Sequence, residues 1–208
     1  MNVIDALNWR YSVKRFADKL LSREQVNGLI EAARLSPSSY GLQPYRIIVI
    51  ESAVLRQQIL PLAYNQTQVV TSSHLLLFAA RTDVDLHMAQ EYAQLATQNK
   101  DVPEASLARY VDMIESSITS MNTLQRQQWA HQQVYIALGN VLTSAAMMGI
   151  DTSPIGGFDS TAVDALLGLN DKQLASTVLC PIGYRHNEDP YSQRRKVRFA
   201  QSHLVMEM

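Results

Sequence analysis

Several features are absent from this 208-residue chain, and each absence excludes a class of protein. Cys180 is the only cysteine, so no internal disulfide can form and no oxidising compartment is required. The sequence has no G-x-G-x-x-G motif after a strand, no P-loop and no G-x-S-x-G elbow, which argues against a Rossmann fold, nucleoside triphosphate hydrolysis and a serine hydrolase. The five histidines lack metal-ligand spacing. Any chemistry must therefore come from a bound organic cofactor.

Net charge and hydropathy exclude two kinds of partner. The 18 basic and 19 acidic residues give a net charge of −1, which argues against nucleic-acid binding. The most apolar run, Val134–Ile150, is interrupted by small and polar residues and is shorter than the roughly 20 apolar residues of a membrane span. We interpret it as a buried core or interface helix. The first residues show no secretory signal, and the expected location is the cytoplasm by default.

The chain shows no repeat, low-complexity segment or linker, so we expect one domain over residues 1–208. Ser22 and Gln25 form a capping box at the start of a helix that should end near Ser36. The other predicted helices are Asn2–Trp9, Ala53–Ala63, Val84–Asn99, Glu104–Ser120, Gln125–Met148 and Ser160–Leu167. The predicted strands are Tyr45–Ile50, Leu75–Ala80 and Thr177–Tyr184, followed by an extended tail. Helices outweigh strands, which indicates an α+β fold with a small sheet between helical layers.

Basic and hydroxyl side chains alternate near the start of the chain. On an extended segment, Arg10, Ser12 and Lys14 share one side, and Tyr11 and Val13 face the core. A guanidinium, a hydroxyl and an ammonium together suit a phosphate and a carbonyl-rich ring. A solvated basic strand is the alternative interpretation.

The same spacing recurs at Lys196 and Arg198, although basic tails are often only solvated. Two turn-rich segments, Pro37–Pro44 and Gly156-Gly157, permit close approach of the backbone to a flat ligand. Ordinary turns have the same composition.

The order of these motifs resembles that of the oxygen-insensitive, FMN-dependent nitroreductases over residues 2–198. The motifs are Arg10-x-Ser12-x-Lys14-x-Phe16, Ser36-Pro37-Ser38-Ser39 with Gln43-Pro44, Pro154-Ile155-Gly156-Gly157-Phe158, and Lys196-x-Arg198. Gln132-Gln133-Val134-Tyr135 resembles part of the family's long central helix. The resemblance implies a small, mainly antiparallel sheet flanked by helices, an extended C-terminal tail and an intertwined homodimer with two FMN sites.

The resemblance also implies roles for individual residues. Arg10, Lys196 and Arg198 would hold the FMN phosphate, Ser12 would contact the phosphate and ribityl chain, and Lys14 would stabilise negative charge at N1 and O2. The remaining expected cofactor contacts are Tyr11, Pro37, Ser38, Ser39, Gln43, Asn65, Gln133, Pro154, Ile155, Gly156 and Gly157. Ser38 and Ser39 would come from the partner subunit, and a backbone amide of the 154–157 turn would donate to N5. Substrate contacts would come from Tyr40, Gly41 and Tyr110.

The activity implied is hydride transfer from NADH or NADPH through FMN to a nitroaromatic, quinone or similar small acceptor, in a ping-pong cycle. Gly156, Gln68 and Gly41 depart from the pattern of enteric-type members, which carry Glu, Lys and Asn there. These departures affect the expected redox potential and substrate choice. Other enzyme branches, such as a flavin or enal reductase, and a non-catalytic FMN carrier or sensor remain alternatives, as does a structural α+β dimer.

Overall fold

The computed structural model describes residues 2–98 and 103–208, and these form an α+β fold. The helices are α1 Val3–Trp9, α2 Arg23–Arg34, α3 Ala53–Leu62, α4 Gln68–Thr71, α5 His87–Thr97, α6 Glu104–Ser120, α7 Thr123–Met147, α8 Ser160–Leu167 and α9 Gln201–Leu204. The strands are β1 Tyr45–Ile50, β2 His74–Arg81, β3 Asp151–Thr152 and β4 Leu174–Gly183. Short 3₁₀ turns occupy Ser39–Gly41 and Asn170–Lys172. Asn99, predicted to end a helix, lies outside the described residues.

The four strands form one antiparallel sheet in the order β1-β2-β4-β3, which confirms the predicted fold class. β2 is buried on both faces. Leu76 and Phe78 pack into a cluster with residues of α2 and α7, whereas Leu75 and Leu77 pack against α3 and α8. Because alternate residues of a strand face opposite sides, helical cover on both faces explains the continuous apolar sequence of β2.

Helix caps account for most of the helix boundaries. The predicted capping box of α2 is present: Ser22 accepts from the Gln25 N–H, and the Gln25 side chain accepts from the Ser22 N–H. Asn122 and Gln125 form a second one, so α7 begins two residues before the predicted start. α5 begins at His87, after the predicted Val84, without a side-chain cap from its N-cap residue Leu86, and the Asp85 carboxylate accepts from the His87 N–H.

Three short elements differ from the predictions. β3 and α4 were not predicted, and α9 interrupts a tail that was predicted to be wholly extended. Two- and four-residue elements contain too few positions to show a periodic pattern, so only their tertiary contacts reveal them. No helix in the described parts of the chain combines the length and apolar character that a bilayer crossing needs.

Candidate functional site

A cavity of about 410 Å³ lies where the two ends of the chain meet. Its lining residues are Asn8, Trp9, Arg10, Tyr11, Ser12, Lys14, Tyr191, Ser192, Arg194, Arg195, Lys196 and Arg198. Five of the predicted phosphate and ring contacts therefore line one cavity, although some 180 residues separate them in the sequence. We call it the cationic cavity.

The N-terminal wall of the cationic cavity is an extended segment beside β3. After α1 ends, Ser12 forms a parallel bridge to Thr152, and the Val13 N–H donates to the Thr152 carbonyl at 3.3 Å. Val13 is fully buried. Arg10, Ser12 and Lys14 all line the cavity, and the Arg10 guanidinium lies 3.5 Å from the Ser12 hydroxyl. The expected alternation therefore places these three side chains together.

Tyr11 departs from that alternation. It was predicted to face the core with Val13, but it is half-buried and lines the cationic cavity. The reason is Arg185, whose guanidinium carbon lies 4.6 Å from the centre of the Tyr11 ring and holds it at the cavity wall. Burial, followed by the negative charge of Asp189, raises the pKa of Tyr11 to about 12, so its hydroxyl remains a proton donor at neutral pH.

The C-terminal wall is attached to the end of α1. The Lys196 ammonium donates to the carbonyls of Leu7 and Arg10, which are acceptors near the helix C-terminus. Burial lowers the pKa of Arg10, and repulsion from Arg198 lowers it further. The pKa of Lys196 is lowered by burial and then by Arg10 and Arg198. Three cations thus crowd one another in the cavity.

The donors of the cationic cavity fit a phosphate-bearing cofactor. Within residues 2–98 and 103–208, no carboxylate forms an ion pair with Arg10, Lys196 or Arg198. The Arg10 Nε and the Tyr11 hydroxyl oxygen are buried and have no hydrogen-bond partner in that part of the chain. Buried polar groups normally have partners, so unpartnered donors beside clustered cations indicate a site for an anion.

The 154–157 turn continues from β3 and therefore follows the same sheet edge. Ile155 is 3% exposed, and its N–H and carbonyl pair with Leu179 at 2.7 and 3.1 Å. The Ile155 side chain and N–H are thus engaged within the chain, and its predicted cofactor contact stays a prediction. Gly156 and Gly157 are exposed, and a Cβ added at either would meet no atom within 4 Å. The open space of this turn lies at the two glycines, while Pro154 is half-buried beside them.

Asn65 lies in a tight turn near Gly157. Tyr64 and Asn65 have positive φ values of 53° and 57°, a conformation that asparagine tolerates better than most residues. The Gln66 side chain donates to the Gly157 carbonyl at 2.9 Å, which joins the two turns. Asn65 is exposed, whereas Gln68 is 4% exposed within α4.

The 36–44 loop binds α7 of its own chain. The Ser39 N–H donates to Gln133 Oε1 at 2.8 Å, and the Ser38 hydroxyl accepts from the Gln43 N–H at 3.0 Å. The Gln43 amide donates to the Arg34 carbonyl at 2.7 Å, so this side chain braces the loop. Pro37 is exposed.

Gln133 lies about 21 Å along the helix axis from Met147, the last residue of α7, and β3 begins just beyond that end. Ser12 pairs with β3. Gln133 lies near the middle of α7, and the amide of Asn140, further along the helix, donates to the Ser36 hydroxyl at 2.8 Å. The 36–44 loop therefore packs along the middle of α7, whereas the N-terminal wall of the cationic cavity pairs with β3 beyond the C-terminal end of that helix.

Three tyrosines form an aromatic cluster above this loop. The Tyr40 and Tyr110 rings are 6.2 Å apart in an edge-on arrangement, and Tyr92 lies 5.4 Å from Tyr110. Tyr40 and Gly41 both have positive φ, at 57° and 72°, which turns the loop beneath the rings. α5 and α6 contribute Tyr92 and Tyr110, so the helices of the 84–120 region cover the loop. Sequence reasoning missed Tyr92 because nothing local distinguishes it.

Two buried carboxylates near the cationic cavity were also missed. Asp151 and Asp189 are each 3% exposed. Asp151 binds Arg185, and Asp189 accepts from the backbone of Lys14 and Arg15. Arg185 lies 34 residues from Asp151, and the Lys14 and Arg15 amides lie 175 and 174 residues from Asp189, so no local pattern could have shown these contacts.

A second cavity, of about 610 Å³, lies beside β1 but does not suit a phosphate. Its buried cation, Arg81, is already paired with Asp83 at 2.7 Å and Glu91 at 2.6 Å. The carboxylates neutralise that guanidinium, and their hydrogen bonds raise its pKa. The cationic cavity, in contrast, has unbalanced positive charge.

Fold and cavity together define an α+β protein with a cavity lined by cations at the edge of an antiparallel sheet. The sequence model of the Nitroreductase family matches residues 7–184. A Staphylococcus saprophyticus protein provisionally named NAD(P)H nitroreductase is 36% identical, and the alignment covers 98% of this chain and 95% of that protein.

Two solved structures have the same fold. YdfN of Bacillus subtilis, provisionally described as a nitroreductase, superposes with a TM-score of 0.89 at 22% identity, covering 99% of this chain and 98% of that one. An Exiguobacterium sibiricum protein, provisionally described as a nitroreductase in complex with FMN, gives 0.89 at 21% identity over 100% and 98%. The chain belongs to the Nitroreductase family, a class of oxidoreductases.

Proposed function

We propose that this chain is an FMN-dependent NAD(P)H oxidoreductase that reduces nitroaromatics, quinones or similar small acceptors in a ping-pong cycle. The observation that carries the proposal is the cationic cavity, where Arg10, Lys196 and Arg198 meet and, among the described residues, no carboxylate lines the cavity or forms an ion pair with them. An FMN phosphate supplies the missing negative charge. The relative named NAD(P)H nitroreductase and the FMN-bound structural neighbour support this choice of electron donor and cofactor.

Each part of the site has a role in holding the cofactor. Arg10, Lys196 and Arg198 would bind the phosphate, with the hydroxyls of Tyr11 and Ser12 beside them. The exposed backbone of Gly156 and Gly157 can approach a flat ring, since no side chain or neighbouring atom fills the space above it. Hydride transfer between NAD(P)H and the acceptor is the chemistry that FMN would supply when bound there.

Lys14 has an electrostatic role in this proposal. It lines the cationic cavity through its half-buried side chain. A fixed ammonium in a partly desolvated site stabilises negative charge that develops nearby during reduction. Lys14 therefore favours the reduced state of the site without acting as a general acid or base.

The tyrosine cluster is the proposed acceptor surface. Tyr40, Tyr92 and Tyr110 present flat aromatic faces, which pack well against nitroaromatic and quinone rings. Packing against aromatic rings discriminates weakly between electron acceptors of similar shape, because the protein makes few specific hydrogen bonds to them. Broad acceptor specificity follows.

The active form is proposed to be a homodimer in which the 36–44 loop contributes to the partner's flavin site. The tail exposes large apolar side chains, with Val197 86%, Phe199 72% and Met206 79% exposed. β1 lies at an open edge of the sheet. Apolar surface of this extent and an unpaired strand edge both favour association with a second copy. Each copy is proposed to be one domain over residues 1–208.

The deciding experiment is an anaerobic absorbance spectrum of the purified protein, before and after addition of NADH and then NADPH. We expect an oxidised flavin spectrum that bleaches. A flavin spectrum that neither nucleotide bleaches would favour an FMN carrier or sensor. A protein that stays colourless after incubation with FMN would contradict the proposed function. Light scattering on the same sample measures the dimer mass, and a monomeric flavoprotein would contradict only the assembly.

A further inference from the structure

Asp189 joins the two halves of the cationic cavity. Its side chain is buried, and Oδ2 accepts the Lys14 N–H at 2.7 Å and the Arg15 N–H at 2.8 Å. Oδ1 accepts the Tyr191 N–H at 2.8 Å, and the Ser192 hydroxyl donates to the Asp189 carbonyl at 2.8 Å. A single residue thus binds the segment that carries Lys14 and the segment that leads to Lys196.

The carboxylate fills a gap in the backbone pairing of the N-terminal segment. Val13 donates to Thr152 beside β3, and pairing resumes at the antiparallel bridge between Phe16 and Arg185. In that bridge the Arg15 carbonyl accepts from the His186 N–H at 2.9 Å and the Ala17 N–H donates to the Tyr184 carbonyl at 2.8 Å, but the N–H groups of Lys14 and Arg15 have no backbone partner in the described chain. Between these two pairings the chain bends at Lys14 and Arg15. Without Asp189, the N–H groups of both bend residues would lack a partner at a part-buried position, which is costly.

We propose that Asp189 is a positioning residue for Lys14 and for the phosphate-binding cations, an inference that rests on the proposed function. By holding the bend, Asp189 fixes the point from which the Lys14 side chain enters the cavity. By holding Tyr191 and Ser192, it fixes the path of the chain toward Lys196 and Arg198. Asp189 does not contact the bound cofactor itself and acts on it only by positioning these residues.

The test compares Asp189→Asn with the neighbouring Glu188→Gln. An asparagine has the shape of aspartate but presents an NH₂ on one side, so it cannot accept from both the Lys14–Arg15 amides and the Tyr191 amide. We expect the FMN dissociation constant of the Asp189→Asn apoprotein to rise at least tenfold, measured by flavin fluorescence quenching. The midpoint potential of the flavin that remains bound should fall, because Lys14 is displaced.

Glu188→Gln is the matched control. It removes the same charge one residue away, but its side chain is exposed and pairs with the exposed Arg15 at 2.9 Å and with His186 at 3.9 Å. It should bind FMN like the wild type and leave the midpoint potential unchanged. A fall in affinity common to both variants would indicate a general charge effect and overturn the positioning role.

The remaining outcomes separate this inference from the proposed function. A wild-type protein that does not bind FMN contradicts the proposed function itself. The inference is overturned if the wild type binds FMN and the Asp189→Asn variant has the same FMN affinity and midpoint potential but a lower thermal stability. Asp189 would then have only a structural role.

If Asp189→Asn fails to fold, amide hydrogen exchange on the wild-type apoprotein provides a second test. The Lys14 and Arg15 amides should be protected before FMN is added, because Asp189 already holds the bend. Exchange as fast as that of exposed amides would show that the bend is not held, and would overturn the inference.

Discussion

The Arg185 guanidinium donates two hydrogen bonds to Oδ1 of the buried Asp151, at 2.6 and 2.9 Å. The Arg185 N–H also donates to Oδ2 at 2.8 Å. The guanidinium carbon lies 4.0 Å from the centre of the Trp9 ring and 4.6 Å from that of Tyr11. Trp9 and Tyr11 flank Arg10 in the sequence and line the cationic cavity with it. The Asp151–Arg185 pair therefore helps to position the segment that carries Arg10.

Replacing Asp151 with alanine should destabilise the fold. The change leaves the Arg185 guanidinium without its buried partner, and breaking such a pair costs about 3 kcal/mol. The free energy of unfolding from urea titration measures the loss. Glu31→Ala, which removes the exposed ion pair to Arg34, is the control and should leave the urea midpoint unchanged. Equal midpoints for Asp151→Ala and the wild type would contradict the structural role of the pair.

Replacing Arg198 with alanine should weaken FMN binding. A hydrogen bond to a charged group contributes about 1.5–3 kcal/mol, so the dissociation constant should rise roughly 10- to 100-fold. Fluorescence titration of the apoprotein measures it, and the loss should shrink at high salt. Arg23→Ala removes the same charge from a guanidinium that pairs with Glu51 elsewhere, and should have no effect. Full flavin content in purified Arg198→Ala would remove Arg198 from the phosphate site.

Replacing Lys14 with alanine should slow flavin reduction more than it weakens NAD(P)H binding. The lost electrostatic stabilisation corresponds to about a 100-fold lower reduction rate. Stopped-flow absorbance under anaerobic conditions gives the rate and its dependence on nucleotide concentration. Lys19→Ala, which removes an ammonium over the Tyr184 ring outside the cavity lining, is the control. Unchanged reduction kinetics in the Lys14 variant would exclude this role.

Replacing Gly157 with alanine should leave the apoprotein intact and lower its affinity for FMN. The structure has room for a Cβ at this position, so thermal stability should stay the same. The added methyl group would instead occupy space proposed for the cofactor ring. Gly139→Ala is the control, because Gly139 is exposed on α7 and a Cβ added there also meets no atom within 4 Å. An affinity for FMN equal to that of the wild type in both variants would show that the ring lies elsewhere.

Secondary structure was largely predictable because its causes are local. The apolar run of β2 and the Ser22–Gln25 capping box both indicated their elements, as did the β-rich composition of β1. Boundaries were less accurate wherever a cap came from a residue outside the periodic pattern, as with Asn122 at the start of α7. The order of the motifs was enough to identify the family, which the family match confirms.

The details of the candidate site were less predictable because they depend on long-range contacts. The spacing of Arg10, Ser12 and Lys14 indicated a shared face, but the orientation of Tyr11 depends on Arg185. The glycine-rich turn was predicted, whereas the pairing of Ile155 with Leu179 determines that only its later residues are open.

The sequence by itself determined the longer helices and strands and which residues carry charge, because these follow from side chains within a few positions of one another. The tertiary structure decided where the charges meet. The Lys14 amide and Asp189 are 175 positions apart, and only the folded sheet edge brings them to 2.7 Å. Folding also left Arg10, Lys196 and Arg198 without an ion-paired carboxylate in the described chain, and that arrangement is the basis of the proposed anion site.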